Sequence, residues 1–61
     1  MPWTRLKMAN WLIVGMNHYR LNGNLYLYVA MMNKGQCIVA QGCGDESAVF
    51  KDLEKQAGIA D

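Results

Sequence analysis

Two cysteines and one histidine are the side chains of this chain best suited to nucleophilic or metal chemistry. Cys43 lies in the tripeptide Gly42-Cys43-Gly44, Cys37 precedes it, and His18 is the sole histidine. A reactive thiol needs a nearby base or a helix N-terminus. Asp45 and Glu46 follow the tripeptide directly, and their charges oppose both a thiolate and a bound phosphate. We therefore expect no catalytic residue and interpret the tripeptide as a conformationally special turn.

The same residues lack the spacing of a disulfide or a metal site. In one extended strand, Cys37 and Cys43 would stand roughly 20 Å apart, beyond the limit of ~7 Å between the Cα atoms of a disulfide. Zinc ligands come in close pairs along a chain, and His18 is remote from both cysteines. We expect two reduced thiols, as in a cytoplasmic protein, with no metal and no cofactor.

Length and composition narrow the class of protein. The chain has 61 residues, 52% of them hydrophobic, and a net charge of +1. A domain of this size buries only about 60% of the surface that its unfolded chain exposes, so a second subunit is a common source of extra stability. The apolar segment 8–16 is shorter than the ~20 residues that span a bilayer, and no signal-peptide cleavage site follows it. We expect a cytoplasmic protein without membrane contact.

Two turn signals mark the elements that must position these residues. Asn22-Gly23 is the strongest short signal for a two-residue hairpin loop, because both positions must accept a positive φ. At Lys34-Gly35 a two-residue loop is favoured over a three-residue loop with a bulge, which would flip the third strand. The three runs of β-favouring residues predict an antiparallel meander over about residues 11–21, 25–32 and 37–42.

A helix is predicted over about residues 46–57. Asp45 can cap its N-terminus, and Gly58 supplies a left-handed stop at its C-terminus, with Ile59 folding back on Leu53. An apolar stripe runs along the helix: Val49, Phe50, Leu53 and Ala57. The predicted fold class is α+β, a single two-layer β-β-β-α domain over residues 11–61 with the helix on one face of the sheet.

The N-terminal segment has no clear period. We predict an arm over residues 1–10 that is flexible or partly docked, as is common at chain termini. A helix over residues 4–16 is the competing interpretation, which the β-branched pair Ile13-Val14 and Gly15 disfavour. Met8 could also serve as an alternative start, and the first seven residues would then be dispensable.

The register set by Asn22-Gly23 divides the sheet into two faces, because directly opposed residues lie on the same face. The aliphatic face is predicted to hold Leu12, Val14, Met16, Leu25, Leu27, Val29 and Met31. The aromatic face is predicted to hold Trp11, Ile13, Tyr19, Tyr26, Tyr28, Ala30 and Met32. The helix should cover the aliphatic face, which leaves the aromatic face without assured cover.

An uncovered aromatic face predicts a binding function, because monomers rarely expose contiguous apolar patches beyond a few hundred Å². The N-terminal arm, another protein, a second copy of the chain or stacked nucleic-acid bases could cover it. We expect a non-enzymatic protein-binding module that forms a homodimer. Its predicted partner surface comprises Trp11, Tyr19, Arg20, Tyr26, Tyr28, Met32 and Lys34. The apolar edge of residues 37–40 is a second route to self-association.

The alternative function is a nucleic-acid-binding accessory protein that uses a basic aromatic sheet face. The charge distribution disfavours this alternative, because nucleic-acid affinity depends on phosphate contacts. The basic residues before Gly44 are dispersed, and the acidic residues follow as a group. Small single-domain proteins of this kind are common among phage and mobile-element inhibitors. From its size class, we expect this chain to be a regulator or inhibitor.

Overall fold

The computed structural model describes residues 3–59. Helix α1 spans Thr4–Met8, strands β1, β2 and β3 span Leu12–Leu21, Asn24–Asn33 and Gln36–Cys43, and helix α2 spans Glu46–Gln56. The strands form one antiparallel sheet in the order β1-β2-β3. The predicted β-β-β-α architecture is confirmed, with an additional short helix before β1.

Both hairpin loops have the predicted two-residue form. Asn22 and Gly23 have φ angles of 52° and 82°, and Lys34 and Gly35 have φ angles of 50° and 82°. Positive φ at both central positions defines the type I′ turn, whose twist matches that of the flanking strands. The preferred register of β3 is thereby confirmed, with Ile38 opposite Met31 on one side of the sheet.

The pairing of the three strands gives the sheet an inner face, which contacts the helices, and an outer face, which does not. The inner face holds Ile13, Met16, His18, Arg20, Leu25, Leu27, Val29, Met31, Ile38, Ala40 and Gly42. The outer face holds Leu12, Gly15, Asn17, Tyr19, Leu21, Asn24, Tyr26, Tyr28, Ala30, Met32, Cys37, Val39, Gln41 and Cys43.

A bulge in β1 corrects part of the predicted division. The pairing skips one residue between Ile13 and Gly15, so Ile13 lies opposite Met31 and Leu12 opposite Met32. One extra residue in a strand reverses the face of every residue beyond it. Ile13 therefore lies on the inner face and Leu12 on the outer face, the reverse of the predicted assignment.

The core lies between the inner face and the two helices. Its buried members are Leu6, Trp11, Leu27, Val29, Met31, Ala40, Val49, Phe50 and Leu53. Gly42 permits the close approach of α2 to β3, because a Cβ atom at this position would lie only 3.1 Å from Val49 Cγ2.

Helix α1 ends early and turns the chain into the core. Asn10 adopts a φ of 71°, its amide donates to the Lys7 carbonyl at 3.0 Å, and the Trp11 amide donates to the Leu6 carbonyl at 3.0 Å. These two bonds form a Schellman ending. In this motif the two residues joined by the longer bond, here Leu6 and Trp11, are also those that make the apolar contact. Trp11 is only 5% exposed, so its predicted place on an uncovered aromatic face was wrong.

The segment before β1 also contacts α2. The rings of Trp3 and Phe50 pack with their centroids 5.8 Å apart. Arg5 lies 3.7 Å from a carboxylate oxygen of Glu54 and donates to the Ile59 carbonyl at 3.3 Å. Within the range 1–10 that was expected to form an arm, residues 3–10 are thus joined to the helical layer; Met1 and Pro2 lie outside the described residues, as do Ala60 and Asp61.

Helix α2 has the predicted caps. Asp45 accepts a hydrogen bond from the Ser47 amide at 2.9 Å through its side chain. At the other end Gly58 has a φ of 76°, and the Ile59 amide donates to the Glu54 carbonyl at 2.9 Å. Local residues therefore cap both ends of the helix.

Candidate protein-interaction surfaces

Two tyrosines form the centre of the outer face. Tyr19 and Tyr26 are directly opposed on β1 and β2, and their rings stack with centroids 5.3 Å apart and planes 10° apart. The Tyr19 hydroxyl donates to Gln41 Oε1 on β3 at 2.7 Å. The Tyr19 side chain thus reaches across the middle strand, and the stack and the hydrogen bond hold both rings in a defined position.

Tyr28 continues this cluster towards the bulge. The nearest atoms to a Cβ placed on Gly15 would be Ala30 Cβ at 3.7 Å and Tyr28 Cε1 at 4.0 Å. The Tyr28 ring therefore approaches Gly15 of β1, at a distance where an added Cβ atom would make an ordinary van der Waals contact. Beneath this part of the face Ala30 is only 7% exposed, although no helix covers it.

Exposed apolar side chains extend the outer face beyond the tyrosines. Met32 and Val39 are about two-fifths exposed, and Leu12 is 65% exposed. Sequence reasoning did not place Leu12 on the outer face, because only the bulge brings it there. The signal that could have found it is Gly15, since a glycine inside a strand often marks a bulge.

The outer face carries no charged side chain in the part of the chain that the structure describes. Arg20 is opposite Leu25 and lies on the inner face, and Lys34 lies in the second hairpin loop. Of the predicted partner surface, the structure brings together Tyr19, Tyr26, Tyr28 and Met32, and it separates Arg20, Lys34 and Trp11 from them.

The two edges of the sheet differ in their exposure. On β3, the side chain of Gln56 donates from Nε2 to the Val39 carbonyl at 2.8 Å, so α2 reaches over the edge of residues 37–40 and occupies one of its backbone acceptors. Strand β1 has no buried residue along its whole length. The helix α2 thus occupies one acceptor on the edge of residues 37–40 that was predicted to allow self-association, whereas every residue of β1 is exposed or partly exposed.

The inner face of β1 is also incompletely covered. Helix α2 packs mainly on β3 and to a lesser extent on β2, because the Gly44 turn returns the chain directly over β3. Met16 and Leu25 consequently remain 45% exposed although they lie on the inner face. Met16 and Leu25 are therefore accessible beside the helical layer, next to the polar side chains of His18 and Arg20.

The candidate nucleophiles are not assembled into a site. Cys37 and Cys43 are free and exposed and lie on the outer face, whereas His18 lies on the inner face. His18 lines a groove of about 130 Å³ together with Asp45 and Glu46. Between residues 3 and 59, no three His, Cys, Asp or Glu side chains are grouped closely enough to hold a metal ion.

The turn at Gly42-Cys43-Gly44 has the special conformation expected from its composition. Gly44 has a φ of 85°, which other residues rarely adopt, and its amide donates to the Leu25 carbonyl at 3.2 Å. Gly42 allows the close packing of Val49. Both glycines therefore have a structural role, in joining β3 to α2.

Comparisons with protein-family models, curated proteins and solved structures found no match to this chain. Within residues 3–59, neither helix has the length and apolar character required to cross a bilayer. The function of this chain is consequently inferred from its surfaces.

Proposed function

We propose that this protein is a small, non-enzymatic protein-binding module, a homodimeric regulator or inhibitor whose outer face docks onto another protein. The observation that carries the proposal is an uncharged sheet face with a fixed tyrosine cluster at its centre. Regulation or inhibition by such a protein requires only that it occupies a functional surface of its partner.

The composition of the outer face is that of an interface centre. The buried centres of protein interfaces are depleted in charged residues and enriched in aromatic residues and methionine, and tyrosine is among the residues that most often dominate binding energy. Tyr19, Tyr26 and Tyr28 are each partly exposed, and Met32 extends the surface on the same strand as two of them. The hydroxyl groups and rings of the tyrosines offer both polar and apolar contacts to a partner.

The order already present in the cluster favours tight binding. Association costs about 0.5–1.5 kcal/mol for each flexible side chain that it immobilises. The stack of Tyr19 on Tyr26 and the bond to Gln41 restrain these side chains before a partner arrives. Less of the binding free energy is then lost to ordering.

The charge distribution favours a protein partner over a nucleic acid. Base stacking on aromatic residues is normally combined with a positively charged groove that follows the phosphates. The outer face offers the rings without the charges among the described residues, since Arg20 lies on the opposite face and Arg5 interacts with Glu54. Absence of oligonucleotide binding at low salt, where phosphate contacts are strongest, is the expected result, and clear binding would contradict the proposal.

The decisive experiment compares the partner proteins that are captured by the wild-type chain with those captured by the double variant Tyr26→Ala, Tyr28→Ala. A captured protein is purified and its affinity for both forms is measured. Loss of two interface tyrosines should weaken binding at least 100-fold, because each costs about 2 kcal/mol at a hot spot. Leu25→Ala is the matched control, because Leu25 is exposed on β2 but on the inner face.

Circular dichroism and urea unfolding of the same variants decide between a binding and a structural role. A folded double variant that binds the partner as well as wild type would contradict the proposal. An unfolded double variant would also contradict it, because the tyrosines would then be part of the core. The homodimer is tested separately by light scattering well above micromolar concentration, where a monomer mass would exclude it.

A further inference from the structure

The backbone of β1 presents unpaired hydrogen-bonding groups along the sheet edge. In a two-residue hairpin the closing pair, here Leu21 and Asn24, exchanges both backbone bonds, and hydrogen-bonded pairs then alternate with non-hydrogen-bonded ones. The amides and carbonyls of Arg20, His18 and Met16 therefore point away from β2. These groups form a row to which another strand can pair.

The same alternation can be checked on β3. Asn33 and Gln36 close the second hairpin, which makes Val39 a residue whose carbonyl points away from β2. The Gln56 side chain donates to that carbonyl, as the alternation requires. Within the described residues, a side chain of α2 thus donates a hydrogen bond to the β3 edge. Every residue of β1 is exposed or partly exposed.

The regular part of the β1 edge lacks the usual devices that prevent pairing. Natural edge strands are protected by prolines, lysines, bulges or short length. Residues 15–21 contain no proline, lysine or acidic residue, and the bulge lies outside them, between Ile13 and Gly15. Seven regular residues at about 3.3 Å each give an edge about 23 Å long, and its one permanent charge is Arg20.

We propose that this edge pairs with the same edge of a second copy, antiparallel and centred on His18. The proposal deepens the proposed homodimer and rests on it, by naming the surface that joins the two copies. A two-fold axis through the centre makes the contact self-complementary. His18 then faces His18 of the second copy, and Met16 faces Arg20 of the second copy.

Charge supports a second copy in this alignment. With His18 at the centre, the two Arg20 residues lie about four positions apart along the paired strands, or about 13 Å. That separation exceeds the Debye length of about 8 Å at physiological salt, so their repulsion is screened. An alignment centred on Arg20 would place the two guanidinium groups side by side. Charge thus favours an axis at His18 over an axis at Arg20.

The resulting assembly is a six-stranded sheet with both outer faces on the same side. Asn17 of each copy then faces Tyr19 of the other, so the two tyrosine clusters join into one continuous, uncharged surface. An edge of this length gives an interface at the small end of those seen in stable complexes. We therefore expect a reversible dimer that forms in the micromolar range and presents a doubled docking surface.

Disulfide trapping tests the alignment directly. In a Cys37→Ser, Cys43→Ser background, His18→Cys should form a covalent dimer at least tenfold faster than Met8→Cys under mild oxidation. Residues facing each other in a hydrogen-bonded pair have Cα atoms about 5.5 Å apart, within the range for a disulfide. Met8 is a suitable control because it is 80% exposed and lies on α1. Equal rates would overturn the pairing, and faster trapping by Asn17→Cys would overturn its centre.

A charge placed on the edge provides the second test. Met16→Lys introduces a lysine at an exposed position of the pairing edge and should raise the dimer dissociation constant at least tenfold, as measured by sedimentation equilibrium. Met8→Lys makes the same change at an exposed position outside the edge and should leave dimerisation unchanged. An undiminished dimer in Met16→Lys would overturn the pairing.

The outcomes separate this inference from the proposed function. If the wild-type chain dimerises, Met16→Lys dimerises equally well and His18→Cys forms no covalent dimer, the β1 edge is excluded but the homodimer is not. A wild-type monomer excludes both the pairing and the homodimer. Loss of partner binding in the tyrosine variant, with dimerisation preserved, supports the outer face as a docking site independently of the edge.

Discussion

Replacement of Leu6 by alanine tests whether the segment before β1 is an integral part of the fold. Leu6 is fully buried in the core cluster, and its substitution removes three carbon atoms. At about 0.8 kcal/mol for each methylene-sized group, the transfer cost alone is about 2.4 kcal/mol, and an unfilled cavity raises it to about 3 kcal/mol or more. A folded chain of 61 residues has a total stability of about 3–9 kcal/mol. Leu6→Ala should therefore remove a third or more of it.

Urea unfolding followed by circular dichroism measures this loss. With a slope near 1 kcal/mol per molar urea, as for small domains, the midpoint should fall by about 3 M, or the variant should be unfolded without urea. Met8→Ala is the control on the same helix, where the side chain is exposed and the change should stay within about 0.5 kcal/mol. A Leu6→Ala loss as small as that of Met8→Ala would refute the docking of α1 in solution.

Three further substitutions test the local geometry by the same unfolding assay. Gly42→Ala should cost about 1–3 kcal/mol by overpacking, because its new Cβ would lie 3.1 Å from Cγ2 of Val49 and Val49 is held in the packed core. The cost should fall in a Val49→Ala background, and an equal cost there would locate the strain elsewhere. Asp45→Ala should cost about 1 kcal/mol through loss of the N-cap bond to the Ser47 amide, whereas Asp45→Asn should retain most of the stability. Lys34→Asn should add about 1 kcal/mol, because Lys34 has a φ of 50°, a conformation that asparagine tolerates better; a destabilised variant would argue against the type I′ turn.

Sequence reasoning was most successful where local requirements decide the structure. Asn22-Gly23 and Lys34-Gly35 supply the positive φ angles of two-residue loops, and the loops then set the pairing of every regular residue beyond them. Asp45 and Gly58 likewise define the ends of α2 within one turn of chain. The tyrosine cluster followed from these loops, since their register alone puts Tyr19 opposite Tyr26.

Other features depend on contacts between residues that are distant in sequence. Leu6 and Trp11 are buried in one cluster with residues of the sheet and of α2, and no local pattern in residues 1–10 indicates this. The bulge between Ile13 and Gly15 belongs to the pairing of β1 with β2, and Gly15 is its one local signal. Strict alternation along β1 therefore assigned Leu12 and Ile13 to the wrong faces.

The sequence by itself determined the meander, the two loops, the capped helix and the existence of an aromatic sheet face, because these follow from backbone preferences and the two-residue period of a strand. The tertiary structure decided which surfaces remain free. In the folded chain Trp11 lies in the core, Leu12 lies on the outer face, and the Gln56 side chain binds one acceptor on the β3 edge. Coverage depends on where α1 and α2 settle on the sheet, and that position results from the packing of the whole chain rather than from any one segment.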